Sequence, residues 1–100
     1  MIRHIVMWRL KERPQAGTRF AQMDEIEKNL TVMRASIPGL REIWVGINEV
    51  AVPDAADLVL YSEFENWAAL HGYESHPLHN ELRAIIGPLR GERRVVDYAV

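Results

Sequence analysis

Tyr73, His76 and His79 stand at three-residue steps in the stretch GYESHPLHN, with Pro77 between the two histidines. Imidazole titrates near neutrality, and a phenol beside it can hold or polarise a carbonyl oxygen. Such a group therefore suits proton transfer in a pocket. Two other readings account for the same residues. Proline is favoured at the first position of a helix, where its missing N–H has no partner to lose, so His76 falls where a cap falls and His79 in the first turn. Residues three apart on a helix also share a face at a rise of ~4.5 Å, which one metal ion can bridge. Zinc takes three or four ligands, however, and the chain has no cysteine and no glutamate in a familiar metal-binding arrangement. His4 and Asp97 could complete a set only if the fold brings them in, so no metal is expected.

His4 strengthens the pocket reading. It lies in IRHIVMWRL, a β-branched and aromatic stretch whose alternation predicts a strand with Ile2, His4, Val6, Trp8 and Leu10 on one face. One histidine on an apolar strand face is usually a satisfied core group. Beside Tyr73 and His79 it becomes a polar spot in an apolar cavity, the general form of a small-molecule site.

The elements that must position these residues follow from local signals. After the polar turn KERPQAG, Thr18 is the expected cap of a helix whose stripe is Phe20, Met23, Ile26, Leu30 and Met33, ended by Pro38 and Gly39. REIWVGINEV predicts a second strand, with Ile43, Val45 and Ile47 on one face and Trp44 and Gly46 on the other. Gly46 leaves room for something to approach the backbone. DLVLYSEF predicts a third strand. Asn66 caps a helix carrying Trp67, Leu70 and Tyr73, which halts at His76-Pro77, and a second segment runs on to Gly87-Pro88. ERRVVDYAV is the last strand, with Arg94, Val96 and Tyr98 on one side and Val95, Asp97 and Ala99 on the other. The order is βαββαβ with a broken second helix, a ferredoxin-like α+β split βαβ: a four-stranded antiparallel sheet with its helices on one face.

Composition bounds the function. One hundred residues suit a single domain spanning 1–100, which hides roughly 60–70% of its unfolded surface. At 48% hydrophobic the chain has apolar side chains to spare, Ile5 and Met7 on the far sheet face among them, so a homodimer through the sheet faces is expected. A formal net charge of −2 argues against nucleic-acid binding. The basic cluster Arg90, Arg93 and Arg94 reads as a turn followed by a solvated strand end in preference to the alternative, an anion site. No apolar run approaches the ~20 residues that span a bilayer, so no membrane partner is expected and the cytoplasm is the expected location. No phosphate-binding glycine loop is present and no thiolate is available, so no cofactor is expected.

The opening MIRHIVMWRLKE, the IPGL after the first helix, DLVLYSEFENWAALHGYESHPLH and the closing RRVVDYAV resemble, from end to end, the stress-responsive α/β barrel family, the Dabb domain. The resemblance implies a dimeric ferredoxin-like α/β barrel. It extends to the plant olivetolic acid cyclase, a cofactor-free polyketide cyclase of the family. That relation implies catalytic roles for Tyr73 and His79, a pocket role for His4, and a counterpart for the Asp97-Tyr98 pair. His79 would remove a proton between two carbonyls while Tyr73 helps hold the substrate, and Trp8 and Trp44 would narrow or reshape the cavity.

The expected site is thus His79 and Tyr73 as acid–base pair, with His4, Val6, Trp8, His76 and Asp97 binding a small hydrophobic or aromatic ligand. The expected function is a small pocket protein acting as a cofactor-free acid–base catalyst on a β-dicarbonyl compound. The alternative is a non-enzymatic dimer that binds a small ligand or partner, its histidines structural.

Overall fold

A computed structural model describes residues 1–100. Four strands, β1 (Ile2–Leu10), β2 (Leu40–Ile47), β3 (Leu58–Phe64) and β4 (Arg90–Ala99), alternate with three helices, α1 (Met23–Ser36), α2 (Trp67–Glu74) and α3 (Pro77–Ile86). The strands form one antiparallel sheet in the order β2-β3-β1-β4. This is the ferredoxin-like arrangement read from the sequence.

Alternation decides which side of the sheet is covered. Ile2, His4, Val6, Trp8 and Leu10 of β1 and Leu58, Leu60, Ser62 and Phe64 of β3 are buried beneath the helices. Ile26, Leu30 and Met33 of α1 meet them as the apolar stripe of that helix. The helices lie over β2, β3 and β1, and β4 is exposed along its whole length.

The helix ends have local causes. The Asn66 side chain accepts the Ala69 N–H at 2.9 Å and starts α2. Pro77 opens α3, and the His76 ring is its cap, Nδ1 accepting the Leu78 N–H at 3.1 Å. Gly39 adopts φ +78°, and a Cβ there would stand 2.5 Å from the Ala69 side chain, so the turn out of α1 needs glycine twice over. Thr18 departs from expectation. The helix begins five residues later at Met23, with Gln22 at the cap position and no side-chain cap bond. Residues 21–22 form a turn, which leaves Phe20 to pack on the core from outside the helix.

Two strand ends also move. β2 stops at Ile47, short of the expected Val50, because Asn48 turns back, its amide donating to the Val50 carbonyl at 2.9 Å. β4 starts two residues early, at Arg90, by pairing across an irregularity: Arg9 faces Glu92 but Leu10 faces Arg90. Gly91 is the extra residue, and a Cβ on it would come within 3.2 Å of the Arg9 carbonyl oxygen.

Candidate functional site

The break between α2 and α3 brings Tyr73 and His79 together. Tyr73 follows Leu70 by three residues on the inward face of α2, and both are buried. His79 lies in the first turn of α3, half-buried, its ring edge-on to Tyr73 with centroids 4.7 Å apart. Phe64 backs Tyr73 at 5.1 Å, and the His4 ring lies 6.0 Å from it on the sheet side. His4 in turn faces Asp97 across the β1–β4 register, and its Nδ1 pairs with Asp97 Oδ1. A carboxylate oxygen accepts, so His4 Nδ1 is the donor in this pair.

Tyr73, His79 and His4 border a cavity of about 500 Å³, the size of a small-molecule site. It lies between α3 and the inner side of β1 and β4, where the helix layer stops short of the edge strand. Val6, Trp8 and Leu60 form its floor, and Leu82 and Ile86 its α3 wall.

Two polar atoms at this site are buried without a partner in the protein: the Tyr73 hydroxyl and His79 Nδ1. Burial pushes the Tyr73 hydroxyl far above its ordinary value, helped by the Glu74 carboxylate and opposed by Arg93 and Arg83. The phenol therefore stays protonated and acts as a donor. Burial lowers the His79 pKa and the Arg83 cation lowers it further, while the Glu74 carbonyl and carboxylate act in the opposite sense. A neutral imidazole beside a protonated phenol can take a proton from carbon while the phenol supports the oxygen that gains charge.

The other expected residues separate. Val6 and Trp8 line the cavity, and Asp97 stands behind His4 without lining it. His76 does not line the cavity; its ring is occupied in capping α3. Trp44 neither narrows nor reshapes the cavity, for it lies on the opposite sheet face, stacked on Tyr61 at 4.8 Å. Tyr98 is on that face too, opposite Arg3. The basic cluster is split by the sheet. Arg94 pairs with Glu92 on the outer side, whereas Arg90 and Arg93 line the cavity together with Arg83.

Sequence reasoning passed over Arg83 and set Arg90 and Arg93 aside as part of a solvated strand end in preference to an anion site. Arg83 was detectable as the residue one helical turn beyond His79. Arg90 was not, because simple alternation from Arg94 puts it on the outer face, and the bulge at Gly91 turns it inward. Nowhere in the structure do three or more His, Cys, Asp or Glu side chains converge closely enough to share a metal ion.

Residues 2–100 match the Stress Responsive A/B Barrel Domain, Dabb. None of the curated proteins matches the chain. Among solved structures, the fold is similar to a dimeric ferredoxin-like protein of unknown function from Thermobifida fusca, with TM-score 0.81 and 24% identity over 99% of this chain and 90% of that one. A dimeric protein of unknown function and ferredoxin-like fold from Bacteroides fragilis superposes with TM-score 0.79 at 26% identity, covering 99% and 95%. A hydroxynitrile lyase from Passiflora edulis does so with TM-score 0.76 at 20% identity, covering 99% and 92%.

Proposed function

This chain belongs to the stress-responsive A/B barrel (Dabb) family, and on that premise we propose that it is a cofactor-free acid–base catalyst acting on a small β-dicarbonyl compound. The observation that carries the reading is the pair of unpartnered polar atoms, Tyr73 hydroxyl and His79 Nδ1, buried on adjacent rings at one cavity. In the reaction, neutral His79 takes the proton from the carbon between two carbonyls, and Tyr73 donates a hydrogen bond to the oxygen that becomes the enolate. Where the chain carries a third, more distant carbonyl, the enolate carbon bonds to that carbonyl carbon, its C=O π bond becomes the new alkoxide, and His79 returns its proton to that oxygen. Atoms and charge balance without an external reagent. His4, held by Asp97, borders the cavity on the sheet side, where its ring can hydrogen-bond a substrate hydroxyl or enol. The hydroxynitrile lyase from Passiflora edulis shares only the fold, but it supports the view that this scaffold can host a lyase.

The working unit is a homodimer closed through the sheet faces. Its support is a row of side chains across all four strands, Trp44, Tyr61, Ile5 and Val96, aligned by register on the face that no helix covers. The structures from Thermobifida fusca and Bacteroides fragilis, both described as dimeric, agree with it.

The test is deuterium exchange at the central methylene of short β-diketones, followed by NMR, together with cyclisation of a short poly-β-ketone. Exchange above the buffer rate that is lost in His79→Ala and cut at least tenfold in Tyr73→Phe is the expected result. Catalysis that survives both substitutions, or that depends on flavin, nicotinamide or metal, would sink the mechanism. Ligand binding without exchange would put the non-enzymatic dimer in its place.

A further inference from the structure

The mouth of the cavity is more basic than the chain that forms it. The protein carries a formal net charge of −2, yet Arg83, Arg90 and Arg93 line this one cavity against a single carboxylate, Glu74. None of the three guanidinium groups makes an ion pair or a side-chain hydrogen bond within the protein. Arg13, Arg19 and Arg94, by contrast, are each paired with a carboxylate. Three like charges brought to one concave surface repel one another, and low-dielectric walls focus their field into the cleft. Arg90 is present only because the bulge at Gly91 shifts the register and turns it to the helix side, opposite Leu10.

The arginines also have a direction relative to the acid–base pair. On α3, Arg83 follows His79 by one turn, a rise of roughly 6 Å. On the sheet, Arg93 stands opposite Trp8 and Asp97 opposite His4, so the two ends of the cavity floor are about 13 Å apart along β1. Apolar side chains, Val6, Leu60 and Leu82, fill the interval. The cavity is therefore polar at one end, apolar in the middle and cationic at the other.

We propose that the compound this cavity takes is an anion, a β-dicarbonyl whose carbon chain ends in a carboxylate, with the dicarbonyl at Tyr73 and His79 and the carboxylate at Arg83, Arg90 and Arg93. The proposal rests on the catalytic reading of the Tyr73–His79 pair for the orientation of the ligand. Planar guanidinium forks match a carboxylate in two parallel hydrogen bonds, which neutral carbonyls cannot replace at equal strength.

The probes are succinylacetone, a β-diketone ending in a carboxylate, and its methyl ester. Affinity is read by calorimetry and deuterium exchange of the central methylene by NMR. The acid binds about tenfold or more tightly than the ester, and the ratio shrinks as salt rises. In Arg90→Gln/Arg93→Gln the ratio falls towards one; Arg83 is left in place because it acts on the base His79, and acid and ester are compared within each variant because Arg93 acts on Tyr73. Both are exposed, so circular dichroism should report an unchanged fold. Equal affinity for acid and ester, or a ratio that the double substitution leaves intact, overturns the proposal. Displacement of the acid by submillimolar inorganic phosphate overturns the carboxylate assignment in favour of a phosphate-bearing compound. An acid preference without exchange supports the anion site and defeats the base, exchange without preference does the reverse, and binding of neither probe defeats both.

Discussion

The Tyr73 hydroxyl has a cost that its position explains. It is buried, it has no partner in the protein, and a buried unsatisfied polar group costs about 1–3 kcal/mol. Tyr73→Phe removes that cost and keeps the ring contacts to Phe64 and His79. Thermal or urea unfolding should therefore show the variant no less stable than the parent, and more stable by up to about 1 kcal/mol, while exchange activity falls. A large loss of stability would mean that the hydroxyl serves the fold. His79 makes a second prediction at this scale. Its pKa is lowered from 6.5, so between the lowered value and 6.5 the unfolded chain binds a proton that the folded chain excludes. His79 therefore costs no stability above 6.5 and lowers stability as pH falls through that window. Melting temperatures taken from about pH 8 to 5 should decline less steeply in His79→Gln. Activity that depends on neutral His79 should persist to lower pH than an ordinary histidine would allow, then fall.

Among the elements, the break between α2 and α3 does most to make the site. Continuous helix through residues 67–86 would step Tyr73 and His79 along one axis, whereas the break lets their rings meet at 62°. His76 and Pro77 set the break, and His76 accepts the Leu78 N–H that would otherwise lack a partner. His76→Ala should lower stability by about 1 kcal/mol in chemical denaturation, and His76→Asn, which also caps, should restore most of it. If His76→Ala instead abolished ligand binding at unchanged stability, the ring would belong to the cavity after all. The bulge at Gly91 is the corresponding device in the sheet, since one extra residue exchanges the face on which Arg90 lies.

For the whole molecule, the bare sheet face matters most. Met7, Trp44, Val96 and Tyr98 are each more than a third exposed there, a contiguous apolar surface of the kind that marks an interface. Sedimentation at micromolar concentration should give a species of twice the 11.5 kDa chain mass. Val96→Asp puts a charge opposite Ile5 on the edge strand, where the monomer tolerates it and a packed interface does not. The substitution should raise the dimer dissociation constant at least about a hundredfold with circular dichroism unchanged. A parent chain that sediments as a monomer would remove the dimer from the proposed function.

Local chemistry was enough for the strand–helix order, the cap at Asn66, the break at His76-Pro77 and the apolar stripe of α1. Each depends on residues within a few positions of one another, through alternation, helical spacing or a missing N–H. The same locality is why His4, Tyr73 and His79 could be grouped as candidates before their distances were known. Other features depended on chain segments far apart in sequence. Asp97 reaches His4 through a strand register that spans the length of the chain, and Arg90 faces inward because of a bulge that alternation does not foresee. Alternation separated Trp44 from Ile43, but only the packed helices decided which of those two faces would border the cavity. Thr18 carried a good cap residue with no helix start behind it, because the packing of Phe20 on the core holds the chain outside the helix until Met23. The sequence determined which groups were available for chemistry; cross-strand register and the edge of the helix layer decided which of them share a cavity.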